Sequence, residues 1–196
     1  MQKLIFATNN SHKLQEIQDL LKDRFHIISL DEIGIKEDIP ETADNLEGNA
    51  LLKARYVYQR TQSDCFADDT GLEVEVLEGA PGVYSARYAG ENASFDDNMD
   101  KLIEALEDQD NRRARFRTVI ALIIKGNEYL FEGKVDGSIL PRKQGDEGFG
   151  YDPVFLPDGF EKSFAEMDPM QKNAISHRGR SVQKLVHFLE GFARVN

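Results

Sequence analysis

The chain has 196 residues and a formal charge of −11, from 35 acidic side chains against 24 Lys and Arg. With 40% hydrophobic residues it can bury a real core, which excludes general disorder. The acidity opposes a polynucleotide-binding surface, which needs clustered cations, but leaves room for a small basic pocket around one phosphorylated molecule. Leu4-Ile5-Phe6-Ala7 reads as a buried strand stopping at Thr8-Asn9-Asn10-Ser11, and four apolar residues are too few for a secretory leader. Leu14, Ile17, Leu20 and Leu21 recur at helical spacing and predict a helix from about Ser11 to Lys22. Phe25 to Ser29 reads as a second short strand, and Asp31 to Asp44 as an acidic loop. A helix from Asn45 to about Thr61 follows, with Leu46, Ala50, Leu51, Ala54 and Val57 on one side.

Cys65-Phe66-Ala67 is a short strand expected to end at Asp68-Asp69-Thr70-Gly71. Leu72, Val74 and Val76 then alternate with Glu73 and Glu75 in a half-buried strand. Cys65 is the single cysteine, so an intrachain disulfide and a Cys-rich zinc site are both excluded. Gly79 to Gly90 is a Gly/Ala-rich loop, and Ser94 with Asp97 opens a helix through Glu107 in capping-box style. Ala114–Lys125 and Glu128–Gly137 pair as a hairpin around Gly126-Asn127. The apolar stretch Val119–Ile124 has core-strand length, far short of a membrane span. A last helix begins near Ser176 and turns Val182, Leu185, Val186, Leu189 and Phe192 inward. Strands alternating with helices, plus one long hairpin, imply an α/β fold with a mixed sheet and flanking helices, one domain over 1–196. A reducing, cytoplasmic setting and no membrane partner are the default expectations.

Four places bring chemistry-bearing residues to element ends. Thr8, Asn9, Asn10 and Ser11 sit at a strand–loop–helix junction with Lys13 in the first helical turn. A helix N-terminus favours an anion, so the junction reads either as a phosphate cradle or as an ordinary N-cap. No Walker A pattern and no Gly-x-Gly-x-x-Gly follows the strand. Asp68-Asp69 suits Mg²⁺, which takes one or two carboxylates plus substrate oxygens, or a base that deprotonates water. It is equally readable as an Asp-rich turn. Glu41 is a third oxygen donor in the acidic loop. Lys172, His177 and Arg178 stand before and at the start of the last helix, where cations cost stability unless an anion or electron-rich ligand is near; the other reading is a basic solvated face. Gly148-Phe149-Gly150-Tyr151-Asp152-Pro153 offers a flat aromatic face beside a carboxylate, or simply a corner.

Taken together and in order, several blocks resemble the inosine/xanthosine triphosphate pyrophosphatase family, which clears non-canonical purine nucleotides. They are Thr8 through Lys13; Glu41-Thr42 with Asn49-Ala50 and Lys53-Ala54; Ala67 through Leu72; Gly79 through Tyr88; Gly148 through Pro153; and Lys172 through Gly179. The resemblance implies an elongated α/β fold of two lobes around a central cleft, usually a homodimer. It also implies Mg²⁺-dependent cleavage of a purine nucleoside triphosphate (ITP, dITP or XTP) to the monophosphate and pyrophosphate. By the same resemblance Thr8, Asn9, Asn10, Ser11, His12, Lys13 and Lys53 would hold the phosphates, and Glu41 and Asp69 would organise the metal. Asp69 would be the proton acceptor, with Thr70 where the family often has Ser. Phe149, within Phe149-Gly150-Tyr151-Asp152, would stack on the base, while Asp152, Lys172, His177 and Arg178 would read its edge. Two departures stand out: Gly48 precedes Asn49-Ala50 where many relatives have an acid, and Ala86 replaces a lysine found in some. A pyrophosphatase for modified pyrimidine nucleotides, or a nucleotide sensor without turnover, are the alternatives.

Overall fold

The computed structural model of the chain describes residues 2–21 and 23–195. Its elements in chain order are β1 (Gln2–Phe6), α1 (Ser11–Leu21), β2 (Phe25–Ile28), α2 (Leu46–Thr61), β3 (Cys65–Val74) and β4 (Pro81–Gly82). There follow α3 (Phe95–Ala105), β5 (Arg113–Ile124), β6 (Asn127–Ile139), β7 (Phe155–Pro157), α4 (Pro169–Ile175) and α5 (His177–Val195). Hydrogen bonding orders the strands β2-β1-β3-β5-β6-β7, with β4 paired to β3. β1 runs parallel to β2 and β3, whereas β3–β4 and β6–β7 are antiparallel, so the sheet is mixed as expected. Lys22, at the predicted end of the first helix, lies outside the described residues. Among the described residues no helix is long and apolar enough to cross a membrane.

The chain divides into two compact units, the first being Met1–Asp69, Thr118–Gly133 and Arg178–Asn196, the second Thr70–Arg117 and Lys134–His177. In the first unit, Leu4, Phe6, Ile17, Phe66, Ile120, Leu122, Val182 and Leu185 form one apolar core. Phe6 and Phe66 stack across the parallel β1–β3 pair with centroids 4.6 Å apart. Val119–Ile124 is buried throughout, as befits strand residues covered on both faces. Cys65 is fully buried, its thiol donating to the Ala54 carbonyl; burial, reinforced by the charge of Asp64, pushes the thiol pKa up to about 12.

The second unit has its own core of Leu72, Val74, Leu102, Phe116, Val154, Phe155 and Phe164. Here β5 alternates: Arg113 and Arg115 are exposed while Ala114 and Phe116 are buried. The Ser94–Asp97 capping box is present as predicted. In the β5–β6 connection, Lys125 and Gly126 both take positive φ, the backbone a two-residue hairpin requires.

Three expectations need correction. Asp68-Asp69-Thr70-Gly71 does not end a strand but lies inside the ten-residue β3. Charged partners from elsewhere in the chain neutralise the aspartates, and Gly71 permits close approach, since a Cβ there would sit 2.6 Å from the Gly82 carbonyl. Val76 leaves the strand, because Glu75–Leu77 turns as a 3₁₀ helix. The short elements β7 and α4 had no counterpart in the predicted pattern, being three and seven residues long.

Candidate active site

In the first unit, the parallel register pairs Phe6 with Phe66, so the turn after β1 runs level with the aspartates of β3. Asn10 caps α1, its Oδ1 accepting the Lys13 N–H at 3.0 Å, and its own N–H donates to Thr8 Oγ1 at 3.2 Å. That cap holds Lys13 in the first turn, and its Nζ reaches Asp68 Oδ1 at 3.1 Å. Asn9 faces the acidic loop, donating to the Glu37 carbonyl and to Asp38. Ser11 and His12 are exposed on the same turn.

Asp68 is also bound by Arg178, whose Nε lies 3.3 Å from Oδ2 and whose Nη1 pairs with Glu16. Arg178 is thus joined to two carboxylates of the first unit, an engagement that its place beside His177 in the sequence did not foretell. Glu16 was missed altogether, although it lies three residues beyond Lys13, on the same face of α1. Next along β3, Asp69 Oδ1 stands 3.3 Å from Lys53 Nζ, which also contacts Glu41 Oε1 at 2.5 Å. Asn49, fully buried on α2, donates to Asp69 Oδ2 at 3.2 Å.

The two adjacent aspartates differ sharply in electrostatics. Burial alone would raise Asp68, yet Lys13, Arg178 and Lys53 outweigh it and hold the carboxyl well below the usual range. For Asp69 burial wins: its pKa is raised, with Lys53 and Lys13 opposing and Glu41 and Asp68 adding to the rise. Lys13 is lowered by burial despite Asp68, while Lys53 is raised because Asp69 and Glu41 overcome its desolvation. Neighbouring groups driven apart in this way suit distinct roles, a fixed anion and a base.

In the second unit, Gly148 and Gly150 adopt positive φ, folding the chain so that Asp152 Oδ2 accepts the Phe149 N–H at 2.8 Å. Gly148 is obligatory: a Cβ there would lie 2.2 Å from that same carboxylate oxygen. Asp152 is buried and paired with Lys172 Nζ at 2.8 Å, and the ammonium stands 5.1 Å from the centre of the Phe149 ring. Tyr151 turns away, its hydroxyl donating to the Ser85 carbonyl at 2.9 Å. His177 is buried and stacks on Phe116 with centroids 4.5 Å apart and planes within 14°. Phe116 and Phe95, the latter 6.1 Å from Phe149, were not singled out from the sequence, where they read as a core strand residue and a helix start. Thr70 is half-buried in β3.

Known proteins resemble the chain over nearly its whole length. A family model described as the Ham1 family matches residues 4–188. The dITP/XTP pyrophosphatase of Porphyromonas gingivalis is 58% identical over 190 residues, covering 96% of this chain and 98% of that protein. The dITP/XTP pyrophosphatase of Flavobacterium johnsoniae is 56% identical over 187 residues, covering 95% and 97%. Among solved structures, a HAM1 protein from Coxiella burnetii superimposes with a TM-score of 0.89 at 40% identity, covering 97% of this chain and all of that one. The Ham1 protein of Staphylococcus aureus gives 0.88 at 39% identity, covering 97% and 99%.

Proposed function

The chain belongs to the Ham1 family, and from that premise we propose that it hydrolyses dITP, ITP and XTP to the nucleoside monophosphate and pyrophosphate. The observation that carries this reading is the buried Asp68-Asp69 pair of β3, held by Lys13, Arg178 and Lys53. Anionic oxygens shield phosphorus from nucleophiles, so an enzyme that attacks it needs cations beside a base. An ammonium has three donors, so Lys13 and Lys53 can bind phosphate oxygens while keeping their carboxylate contacts. Asp69, the aspartate whose proton affinity is raised, is the acceptor for the proton of the attacking water. Asp68 keeps Lys13 and Arg178 in place as a permanent anion.

The residues present fit Mg²⁺. Glu41 and Asp69 bring hard carboxylate oxygens to one place, the kind of donor Mg²⁺ takes alongside substrate oxygens. Glu41 and Asp69, both within reach of one ammonium, would hold the ion, which supplies charge neutralisation at the phosphates when bound. Among the described residues no group of three or more His, Cys, Asp or Glu is placed to hold a metal alone.

Base selection falls to the second unit. Phe149 supplies a stacking face, and Lys172 and His177 supply donors suited to a 6-oxo group, which adenine lacks. A buried mismatch costs about 1–3 kcal/mol, roughly 5- to 150-fold in kcat/KM. The homodimer of the family is part of the same proposal, tested by light scattering. The deciding experiment assays dITP, ITP, XTP, GTP and ATP with Mg²⁺. The first three should be preferred with release of pyrophosphate; equal use of ATP, or release of single phosphate, sinks the reading.

A further inference from the structure

Asn49 has no role in the chemistry described so far, yet it is fully buried and both ends of its amide are used. Its Nδ2 donates to Asp69 Oδ2 at 3.2 Å, and its Oδ1 accepts the Ala43 N–H at 2.9 Å. The orientation is unambiguous. Flipping the amide would set its oxygen against a carboxylate and its NH₂ against an N–H. Ala43 lies two residues beyond Glu41 in the segment leading to α2, so one side chain ties the Glu41 segment to Asp69.

A second observation concerns the residue just before it. A Cβ at Gly48 would sit 2.5 Å from Ala43 Cβ and 3.0 Å from Asn45 Oδ1. The missing side chain is what lets the segment lie close enough for the Ala43 N–H to reach Asn49. Asn45, the N-cap of α2, accepts the Gly48 N–H at 2.7 Å and fixes the same corner from below.

We propose that Asn49, with Gly48 as its spacer, is a positioning residue. It sets the orientation of the Asp69 carboxylate and locks the Glu41 segment to it, so that both carboxylates meet the substrate in one fixed arrangement. The proposal rests on the reading of Asp69 as proton acceptor. The requirement is for one donor and one acceptor on a short, rigid side chain. An aspartate keeps the acceptor for Ala43 but replaces the donor with an oxygen that opposes Asp69; an alanine loses both.

The test compares Asn49→Asp, Asn49→Ala and Gly48→Ala for steady-state turnover of dITP, amide exchange at Ala43, and urea unfolding. Asn49→Asp should lower kcat about 10- to 100-fold, the range for groups that orient a reacting residue, with KM changed less than about threefold. Its Ala43 amide should exchange as slowly as in the parent. Asn49→Ala should lose turnover and also expose Ala43 to exchange. Gly48→Ala, which keeps both polar atoms and only pushes the segment outward, should speed Ala43 exchange and lower kcat. Near-normal kcat in Asn49→Asp overturns the proposal, as does a loss of kcat matched by an equal loss of global stability in all three. If Asn49→Asp fails to fold, Gly48→Ala decides: unchanged exchange and turnover overturn the proposal. Failure of the parent protein to release pyrophosphate from dITP would instead sink the underlying reading, before any Asn49 variant is assayed.

Discussion

In the first unit each reactive side chain is fixed by an opposite charge from far along the chain: Lys13 by Asp68, Lys53 by Glu41 and Asp69, Arg178 by Asp68 and Glu16. In the second unit the fixing is done by rings and turns. Phe149 is placed by two positive-φ glycines, His177 by the face of Phe116, and the Lys172–Asp152 ion pair is buried beside them. A network of charges suits work on a polyanion, where the substrate adds to the balance. A frame of rings suits a flat heterocycle, where shape and a few hydrogen bonds decide. The contrast teaches that substitutions in the two units should differ in kind as well as in size.

The sharpest way to break that contrast is Asp69→Asn. Turnover of every nucleotide should fall by about 10²- to 10⁴-fold, with the circular dichroism spectrum and unfolding midpoint nearly kept. A rate close to that of the parent would remove Asp69 from the chemistry. Next in size is Asp68→Asn, which strips Lys13 and Arg178 of a buried partner. Breaking such a pair costs about 3–5 kcal/mol, read by urea unfolding at pH 7.

Arg178→Ala and Lys172→Ala separate the units directly. Because Arg178 reaches Asp68, its loss should lower kcat/KM for dITP and ATP alike. Lys172→Ala should instead narrow the preference for dITP over ATP, by about 5- to 150-fold at most. The reverse pattern would move Arg178 into base reading and Lys172 out of it. Phe149→Ala should cost about 1–3 kcal/mol of stacking, seen mainly in KM.

The smallest effect is that of pH on stability. The folded-state pKa of Asp68 lies below its unfolded value, so its contribution is present above about pH 4 and fades as pH falls through the folded value. Asp69, with a raised pKa, works in the opposite direction. Unfolding free energy measured from pH 7 down to pH 3 should therefore fall less steeply in Asp68→Asn than in the parent.

Much of the frame was legible because its signals are local. The helical recurrence of Leu14, Ile17 and Leu21, the Ser94–Asp97 box and the hairpin turn, expected at Gly126-Asn127 and found one residue earlier at Lys125-Gly126, each rest on residues close together in the chain. The continuity of β3 was not. Two aspartates and a glycine read as punctuation until Arg178, 110 residues away, supplies the charge that keeps them in a strand. α4 carried a signal in its Asp168 cap and Pro169, but seven residues give periodicity too little to work with. The candidate site was legible as a set of residue types, because the resemblance supplied it. Its partners Glu16 and Phe116 were not, because nothing in their own neighbourhoods distinguishes them from ordinary helix and strand residues, and Asn49 was named within a matching block but without a role.

The buried thiol of Cys65 has a use of its own. At pKa about 12 and shielded from solvent, it is inert toward alkylating reagents and mild oxidants at neutral pH while the first unit stays closed. Once that core opens, the same sulfur becomes an ordinary thiolate-forming group. With one cysteine in the chain, the rate of modification counts openings of a single place. The protein thus carries an intrinsic clock for the breathing of the β1–β3 core, readable by mass spectrometry without any engineered label.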